Sequence, residues 1–192
     1  DRTKAEELMK KAAEGGNAMA QFNYGQMLMM KHPGEPGLDM AFPWFRKAAE
    51  AKLADGHYAV SQIYANGTAK TPRDDERARE YLLLAARQGY DTAQYDLAHW
   101  LVEGRGGERN YEEGFGWMTA AARRGTVLAQ AWRARRYRDG RGTDGDTVKA
   151  AAWYIVAQRG GYRAPDLNDM MDGLAEDQIK QAIETANTLR AR

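Results

Sequence analysis

The sequence predicts an all-α fold in which antiparallel helix pairs repeat every 36 or 37 residues and stack into a solenoid. The first observation is a string reading Ala-Gln followed by an aromatic residue, which begins at Ala20 and Ala93 and has degenerate copies at Gly56 and Ala129. A second string, Ala-Ala followed three residues later by Gly, recurs out of phase with it. Two interleaved strings with one period indicate two helices in each repeat.

This period divides the chain into a repeat array, residues 1–162, and a C-terminal helical cap, residues 163–192. The array begins with a half-repeat, in which residues 3–15 form a lone second helix. Four repeats follow, and we number them one to four: residues 17–52, 53–89, 90–125 and 126–162.

The first helix of each repeat carries inward-facing residues at the spacing i, i+3, i+4, i+7. In order of repeats these are Gln21, Tyr24, Gly25, Leu28; His57, Val60, Ser61, Tyr64; Gln94, Leu97, Ala98, Leu101; and Gln130, Arg133, Ala134, Tyr137. The third column is uniformly small, which lets a neighbouring helix approach closely.

The second helices carry two adjacent apolar columns, which we interpret as core because large side chains fill the space opposite the small column. The first column contains Leu8, Trp44, Tyr81 and Trp117, and the second contains Met9, Phe45, Leu82, Met118 and Trp153. A cofactor role for the tryptophans is not favoured, since they recur with the repeat.

Glycines mark the corners of repeats two to four, where they end one helix and turn the chain. The corner of repeat one differs: residues 31–37 contain two prolines, which predicts a stiffer loop, and Pro43 is expected near the start of the following helix.

The C-terminal cap is predicted to contain two helices. A short one begins at Pro165 and stops near Gly173. The second runs from Ala175 to Leu189, with one apolar face made of Ile179, Ala182, Ile183, Ala186 and Leu189. This face either covers the last repeat, as solenoid caps do, or docks a partner.

These motifs, clearest over 18–28, 91–106 and 117–125, resemble the Sel1-like repeat family, a branch of the tetratricopeptide-type helical repeats. The likeness extends over roughly residues 1–162. It implies a right-handed superhelix and an adaptor role, often in bacterial envelopes, regulation or host contact. Some family members are stapled by disulfides, and because this chain has no cysteine, no activity of that branch is transferred to it.

A second stripe on the first helices, beside the buried one, is the candidate partner-binding surface. Polar residues at one equivalent position of the four repeats can hydrogen-bond the backbone of a bound peptide, and neighbouring aromatic residues can anchor it. The alternative is that these rings pack between repeats. The candidate residues are Phe22, Gln26 and Met29; Tyr58 and Gln62; Tyr95, His99 and Val102; and Arg135 and Arg138.

Repeat four concentrates arginines at positions 133, 135, 136, 138 and 141. One interpretation is a surface that grips a carboxylate-bearing ligand. The other is internal pairing with Asp139, Asp144, Asp146 or the acidic tail that includes Asp166. Arg133 takes a column otherwise filled by Tyr, Val and Leu, and we expect it to contact the C-terminal cap.

Composition and motifs argue against several other classes of function. The net charge of +1 gives no reason to expect a nucleic-acid partner, and no apolar run is long enough to insert into a membrane. The absence of cysteine removes disulfides, zinc–thiolate sites and thiol nucleophiles. The three histidines fall in different repeats without a catalytic or metal-binding spacing, so no catalytic residue, metal or cofactor is predicted.

The leading hypothesis is a non-enzymatic scaffold, regulatory or envelope-associated in a bacterium, that binds a protein or peptide in a concave groove. The alternatives are an enzyme or enzyme subunit acting on an anionic polymer or cell-wall substrate, and a repeat domain of a longer protein. Because the chain begins at Asp1 without methionine, we expect a processed or trimmed protein that has lost any export signal. A periplasmic or exported location is expected, with the cytoplasm as the alternative, and the oligomeric state stays open.

Overall fold

The structure, a computed structural model, describes residues 2–190. These residues form eleven helices and no strands, and the helices pack in consecutive pairs, which confirms the predicted all-α class of stacked helix pairs. The helices are α1 (Arg2–Glu14), α2 (Ala18–Lys31), α3 (Glu35–Glu50), α4 (Ala54–Asn66), α5 (Asp75–Arg87), α6 (Asp91–Glu103), α7 (Tyr111–Arg123), α8 (Val127–Asp139), α9 (Thr147–Arg159), α10 (Pro165–Asp172) and α11 (Glu176–Arg190).

The helices form two compact units, an N-terminal unit of residues 1–109 and a C-terminal unit of residues 110–192. The N-terminal unit contains α1 to α6, and the C-terminal unit contains α7 to α11. Within each unit the first helices of the repeats alternate with the second helices along the chain.

The predicted inward face of the first helices is buried. All four predicted positions are buried in α2 and in α6, and in α4 and α8 Tyr64 and Tyr137 are half-buried while the other three positions are buried. A Cβ atom added to Gly25 would lie 2.6 Å from the Phe45 ring, so this position has no room for a side chain unless the ring moves. The small column is therefore a packing requirement.

The glutamine of the repeat motif joins each first helix to the helix before it. Its side-chain Nε2 donates to a carbonyl eight residues upstream: Gln21 to Ala13 at 3.3 Å, Gln94 to Ala86 at 3.1 Å, and Gln130 to Ala122 at 3.0 Å. Each acceptor lies in the last turn of a helix, where the regular helix hydrogen bonds run out. In repeat two the equivalent residue is His57, whose Nδ1 lies 3.0 Å from Nε2 of Gln88.

The two second-helix columns differ in depth. Phe45, Leu82, Met118 and Trp153 are buried, whereas the other column is half-buried at Trp44, Tyr81 and Trp117. The prediction was wrong for Leu8, which is 59% exposed, because α1 packs on the first core cluster through Ala13 and Met9.

The first corner was also predicted incorrectly. Residues 32–34 alone connect α2 to α3, and Pro36 lies in the first turn of α3, where a proline is well tolerated. Pro43 therefore lies inside the helix, where it removes one backbone hydrogen-bond donor. Gly37 permits this tight connection, since a Cβ atom there would overlap the carbonyl oxygen of His32.

The last helix covers the end of the C-terminal unit. It packs on α9, with Ala182 and Ala186 fully buried and Leu189 against the cluster formed by Ala152, Val156 and Ala186. Ile183, predicted on the same face, is 41% exposed, because the buried stripe follows the alanines. The contacts with α9 are those expected of a capping helix.

Candidate functional site

The N-terminal unit has a solvent-open groove between α2 and α4 with a volume of about 610 Å³. We call it the α2–α4 groove. Its size is in the range of pockets that bind small molecules or a few side chains of a peptide. Its lining residues are Phe22, Gln26, Met29 and Met30 from α2; Leu38 and Phe45 from α3; Asp55, Tyr58, Ala59, Gln62, Ile63 and Asn66 from α4; and Gly67 and Tyr90.

The groove is built from equivalent positions of two successive repeats. Residues 22 and 58, and likewise 26 and 62, are 36 residues apart and so lie at matching heights of two neighbouring first helices. The lining residues of α4 extend from position 55 to position 66, which corresponds to about 16 Å along the helix axis. The groove therefore has two distinct ends.

At one end, which we call the methionine end, the walls are flexible and apolar. It contains Met29, Met30, Leu38 and Ile63. Met29 is 37% exposed and Met30 is 77% exposed, an unusual amount of apolar surface to leave in water. Unbranched, polarisable methionine side chains adapt their shape to different partners.

At the other end, which we call the phenolic end, two tyrosines lie together near carboxylates. The rings of Tyr58 and Tyr90 are 5.0 Å apart, and the Tyr58 hydroxyl donates to Oδ2 of Asp96 at 3.0 Å. Burial, followed by the charge of Asp96, raises the pKa of Tyr58, so this hydroxyl remains a neutral donor. Burial also raises the pKa of Tyr90, with further contributions from Asp55 and Asp91.

The floor of the groove joins it to the core. The ring of Phe22 lies 5.5 Å from that of Phe45, which is buried. The rings of Phe22 and Tyr58 thus pack inside the unit and line the groove at the same time. The two interpretations of these aromatic residues are compatible.

The Gln26 and Gln62 amides, in the middle of the groove, have no hydrogen-bond partner among the described residues. Neither Gln26 nor Gln62 makes a side-chain hydrogen bond to any residue in the described range 2–190. Each amide offers two donor hydrogens and an acceptor oxygen to a molecule in the groove.

The structure brings together half of the predicted partner-binding residues. Phe22, Gln26, Met29, Tyr58 and Gln62 all line the α2–α4 groove. The remaining candidates of the same unit, Tyr95, His99 and Val102, lie on α6 outside its lining, and the rings of Tyr95 and His99 pack edge to face at 4.7 Å.

The arginine candidates are engaged inside the C-terminal unit. Both Nε and Nη2 of Arg135 donate to the Asp166 carboxylate at 2.8 Å, and Arg138 donates to it at 2.9 Å and to Asp139 at 2.7 Å. Hydrogen bonds from Arg135 and then Arg138 lower the pKa of Asp166 well below its ordinary value. Of the two interpretations of this cluster, the structure therefore shows internal pairing for these two arginines.

Arg133 was expected to contact the cap, but it is buried among aromatic rings, and its hydrogen bonds and ring contacts are made with α7 to α9. It is 6% exposed, and its guanidinium carbon lies 4.2 Å from the ring centre of Phe115 and 5.1 Å from that of Trp153. It donates to the hydroxyls of Thr119 and Tyr137 at 2.5 and 2.8 Å. The faces of the rings, on α7 to α9, attract the cation, and burial lowers the pKa of Arg133.

Sequence reasoning missed several groove residues because no repeat pattern marks them. Met30 and Leu38 flank the shortened corner of repeat one, whose course was predicted incorrectly. Asp55 lies in the first turn of α4, where a carboxylate is ordinary, and Tyr90 stands just before α6. The unusual composition of α2, with methionines at 19, 27, 29 and 30, was an available signal.

Two properties of residues 2–190 bear on other functions of the chain. They contain no group of three or more His, Asp or Glu side chains arranged to hold a metal ion. None of their helices combines the length and the apolar character that crossing a bilayer requires.

Comparison with known families and structures gives a consistent result. The Sel1 repeat model matches residues 1–17, 18–53, 54–90, 91–126 and 127–162. A Sel1 repeat protein from Oxalobacter formigenes is similar in structure, with a TM-score of 0.77 and 24% identity over 98% of this chain and 80% of that one. No curated protein sequence matches.

Two further bacterial structures are similar over almost the whole chain. The first is c5321, a protective antigen of uropathogenic Escherichia coli strains that displays an SLR fold, with a TM-score of 0.58 and 24% identity over 98% of this chain and 49% of that one. The second is the immunity protein Pa5087 from Pseudomonas aeruginosa, with a TM-score of 0.52 and 19% identity over 97% of this chain and 74% of that one. At these identities the likeness shows the fold alone.

Proposed function

Because this chain belongs to the Sel1 repeat family, whose members generally act as protein-interaction scaffolds, we propose that it is a non-enzymatic scaffold whose α2–α4 groove binds a segment of a partner protein. One observation carries the proposal. Equivalent residues of two successive repeats line an open, mostly apolar groove in which the Gln26 and Gln62 amides have no partner within the described chain. An open apolar surface that also presents hydrogen-bonding groups suits a peptide.

The two kinds of lining residue have separate roles in binding. The amides of Gln26 and Gln62 hydrogen-bond the backbone of the segment, which holds it without selecting its sequence. Phe22, Met29 and Met30 contact its side chains, and the affinity comes mainly from these apolar contacts.

The positions and partners of the titratable side chains favour a scaffold over the enzyme alternative. The alternative required a free arginine surface for an anionic polymer, whereas Arg135 and Arg138 are paired with Asp166. Among the described residues that line the groove, Asp55 supplies the one carboxylate and none is a histidine. Neither region supplies a paired general acid and base.

We also propose a regulatory or envelope-associated role, exported or periplasmic, in a bacterium. The proposal is supported by the bacterial origin of the three structural neighbours, one of which is a protective antigen and one an immunity protein. Fractionation of the source cells, followed by immunodetection of this chain, tests it. Recovery only with cytoplasmic markers would contradict it.

Selection from a displayed peptide library tests the groove. Peptides enriched on the wild-type protein are measured by fluorescence anisotropy against the triple variant Gln26→Ala/Gln62→Ala/Met29→Ala. We expect at least about a tenfold loss of affinity, since the variant removes two polar contacts and an exposed anchor.

A matched control is the double variant Met40→Ala/Gln181→Ala, which removes the same types of side chain from exposed positions outside the groove. It should bind like the wild type. Equal affinity of the triple variant and the wild type for every selected peptide would refute binding in the groove.

A further inference from the structure

The two ends of the α2–α4 groove differ in charge. Among the described residues that line it, Asp55 is the one charged side chain, and it lies at the phenolic end. Two more carboxylates, Asp91 and Asp96, act on the tyrosines of this end, and Asp96 accepts the hydroxyl hydrogen of Tyr58. Among the described residues, the methionine end is lined by apolar side chains and the Asn66 amide, and by no charged side chain.

The phenolic end is therefore a region of negative potential beside two aromatic faces. Burial, followed by the charges of Asp55 and Asp91, raises the pKa of Tyr90. Burial raises the pKa of the Asp96 carboxyl, while the hydrogen bond from Tyr58 and the charge of His99 act in the opposite direction. The faces of Tyr58 and Tyr90 attract cations as well.

A ligand that fits this groove must match both ends. An anionic group would meet the field of Asp55 and Asp96 and be repelled. A purely apolar segment would cover Asp55 and remove its hydration without compensation. A cationic side chain next to apolar ones avoids both penalties.

Resting on the scaffold function proposed above, we infer that the α2–α4 groove selects a partner segment in which a lysine or arginine lies close to apolar side chains. The cation lodges against Asp55 and the Tyr58–Tyr90 pair, and the apolar side chains contact Met29, Met30 and Leu38. In an extended segment the groove length of about 16 Å spans about five residues, so the cation and the far apolar anchor lie within about five positions of each other.

Capped peptide mixtures test this selection. Acetylated and amidated octapeptide mixtures, with one position fixed as Lys, Arg, Gln or Glu and the others randomised among uncharged residues, are bound to the wild-type protein. We expect the Lys and Arg mixtures to bind about five- to tenfold more tightly than the Gln mixture, and the Glu mixture to bind least. The preference should shrink as salt is added.

Variants at Asp55 assign the preference to the groove. Asp55→Asn should bind the Lys, Gln and Glu mixtures within about twofold of one another, and Asp55→Lys should prefer the Glu mixture. The matched control is Glu76→Gln, which removes an exposed carboxylate from the first turn of α5, outside the groove lining, and should keep the wild-type preference. Circular dichroism confirms that each variant is folded.

The outcomes separate this inference from the proposed function. Binding of all mixtures with equal affinity, or a preference for Lys that persists in Asp55→Asn, would overturn the inference and leave peptide binding intact. Failure of every mixture to bind would overturn both. Concentration-dependent dimerisation that Asp55→Lys abolishes would show a second copy of the chain in the groove, and would also overturn the inference.

Discussion

The two compact units are built from one repeat but present equivalent positions differently. Gln26 and Gln62 in the N-terminal unit line an open groove, whereas Arg135, at the same position in repeat four, is held by Asp166 and Tyr162. The difference comes from α10, which follows only the last repeat and brings Asp166 to the arginines. The repeat thus specifies the framework, and the elements beside it decide which surface stays available.

The interiors of the two units also differ in the side chain that occupies an equivalent position. Leu97 in α6 and Arg133 in α8 occupy one inward column, and both are buried. The C-terminal unit accepts a cation there because Phe115, Tyr137 and Trp153 surround it. One position of the repeat is therefore apolar in one unit and cationic in the other, as the neighbouring side chains allow.

The largest effect should come from an arginine at position 97, and it should contrast with a small effect of a leucine at position 133. We expect Leu97→Arg to lower the free energy of unfolding by about 3–5 kcal/mol, because it buries a charge among apolar groups without partners. Arg133→Leu should lie within about 1 kcal/mol of the wild type, since an apolar side chain replaces a desolvated cation. Urea denaturation measures both, and losses of equal size would contradict the role of the aromatic rings.

Glycine substitutions compare packing in the two units. Gly25→Ala should cost about 1–3 kcal/mol, because the new methyl group meets the buried Phe45 ring at 2.6 Å. Gly116→Ala, in α7, should instead stabilise by about 0.5–1 kcal/mol, since a Cβ there has open space and alanine favours helix. Thermal unfolding followed by circular dichroism distinguishes the signs. A stabilising Gly25→Ala would show that the small column is not needed for close approach.

The side-chain hydrogen bonds of Gln94 and Gln130 to the preceding helix should contribute equally to the stability of the two units. Gln94→Met and Gln130→Met each remove one side-chain bond to the preceding helix, and we expect a loss of about 1 kcal/mol in each case. Hydrogen exchange followed by mass spectrometry assigns each loss to its own unit, and Gln181→Ala, at an exposed position of α11, is the control. A loss in one unit alone would mean that the bond is dispensable in the other.

The smallest effect should come from the carboxylates that each hold two arginines, Asp75 in the N-terminal unit and Asp166 in the C-terminal unit. The Asp166 side chain is 43% exposed, so Asp166→Asn should cost about 1 kcal/mol or less at neutral pH. The exposed Asp169 gives the matched control, Asp169→Asn, which should behave like the wild type.

The contribution of these two carboxylates to the free energy of unfolding should decrease as the pH falls. The folded-state pKa values of Asp75 and Asp166 are lowered, chiefly by hydrogen bonds from Arg73 and from Arg135 respectively. Their contribution is therefore complete above the unfolded pKa of about 4 and is lost as the pH falls below it towards the folded value. Denaturation at a series of pH values from about 6 to 2 should show a shallower loss of stability for Asp166→Asn than for the wild type. Parallel curves would contradict the pairing.

Five of the fourteen residues that line the α2–α4 groove were predicted from the sequence as a partner-binding surface, and the others were not. Phe22, Gln26, Met29, Tyr58 and Gln62 follow from helix periodicity, which fixes the face of a helix on which each residue lies. Which helix faces stay uncovered depends on the contacts of other elements. Periodicity therefore could not show that α10 would bind Arg135 and Arg138.

The local errors have the same origin. Pro43 was assigned to a helix start because proline favours that place, but Pro36 already occupies the first turn of α3. Leu8 and Ile183 lie on correctly predicted helices and are nevertheless exposed, since one turn of a helix offers more apolar positions than its neighbour covers.

The sequence by itself determined the helix pairs, their period, the small column and the Sel1 repeat family, because these depend on residues close together in the chain. Only the tertiary structure decided the rest: that Arg133 is enclosed by rings, that Arg135 meets Asp166 31 residues away, and that the α2–α4 groove is open with Asp55 at one end. These features depend on which surfaces pack together, and the energy of that packing is set by side chains distant in the sequence.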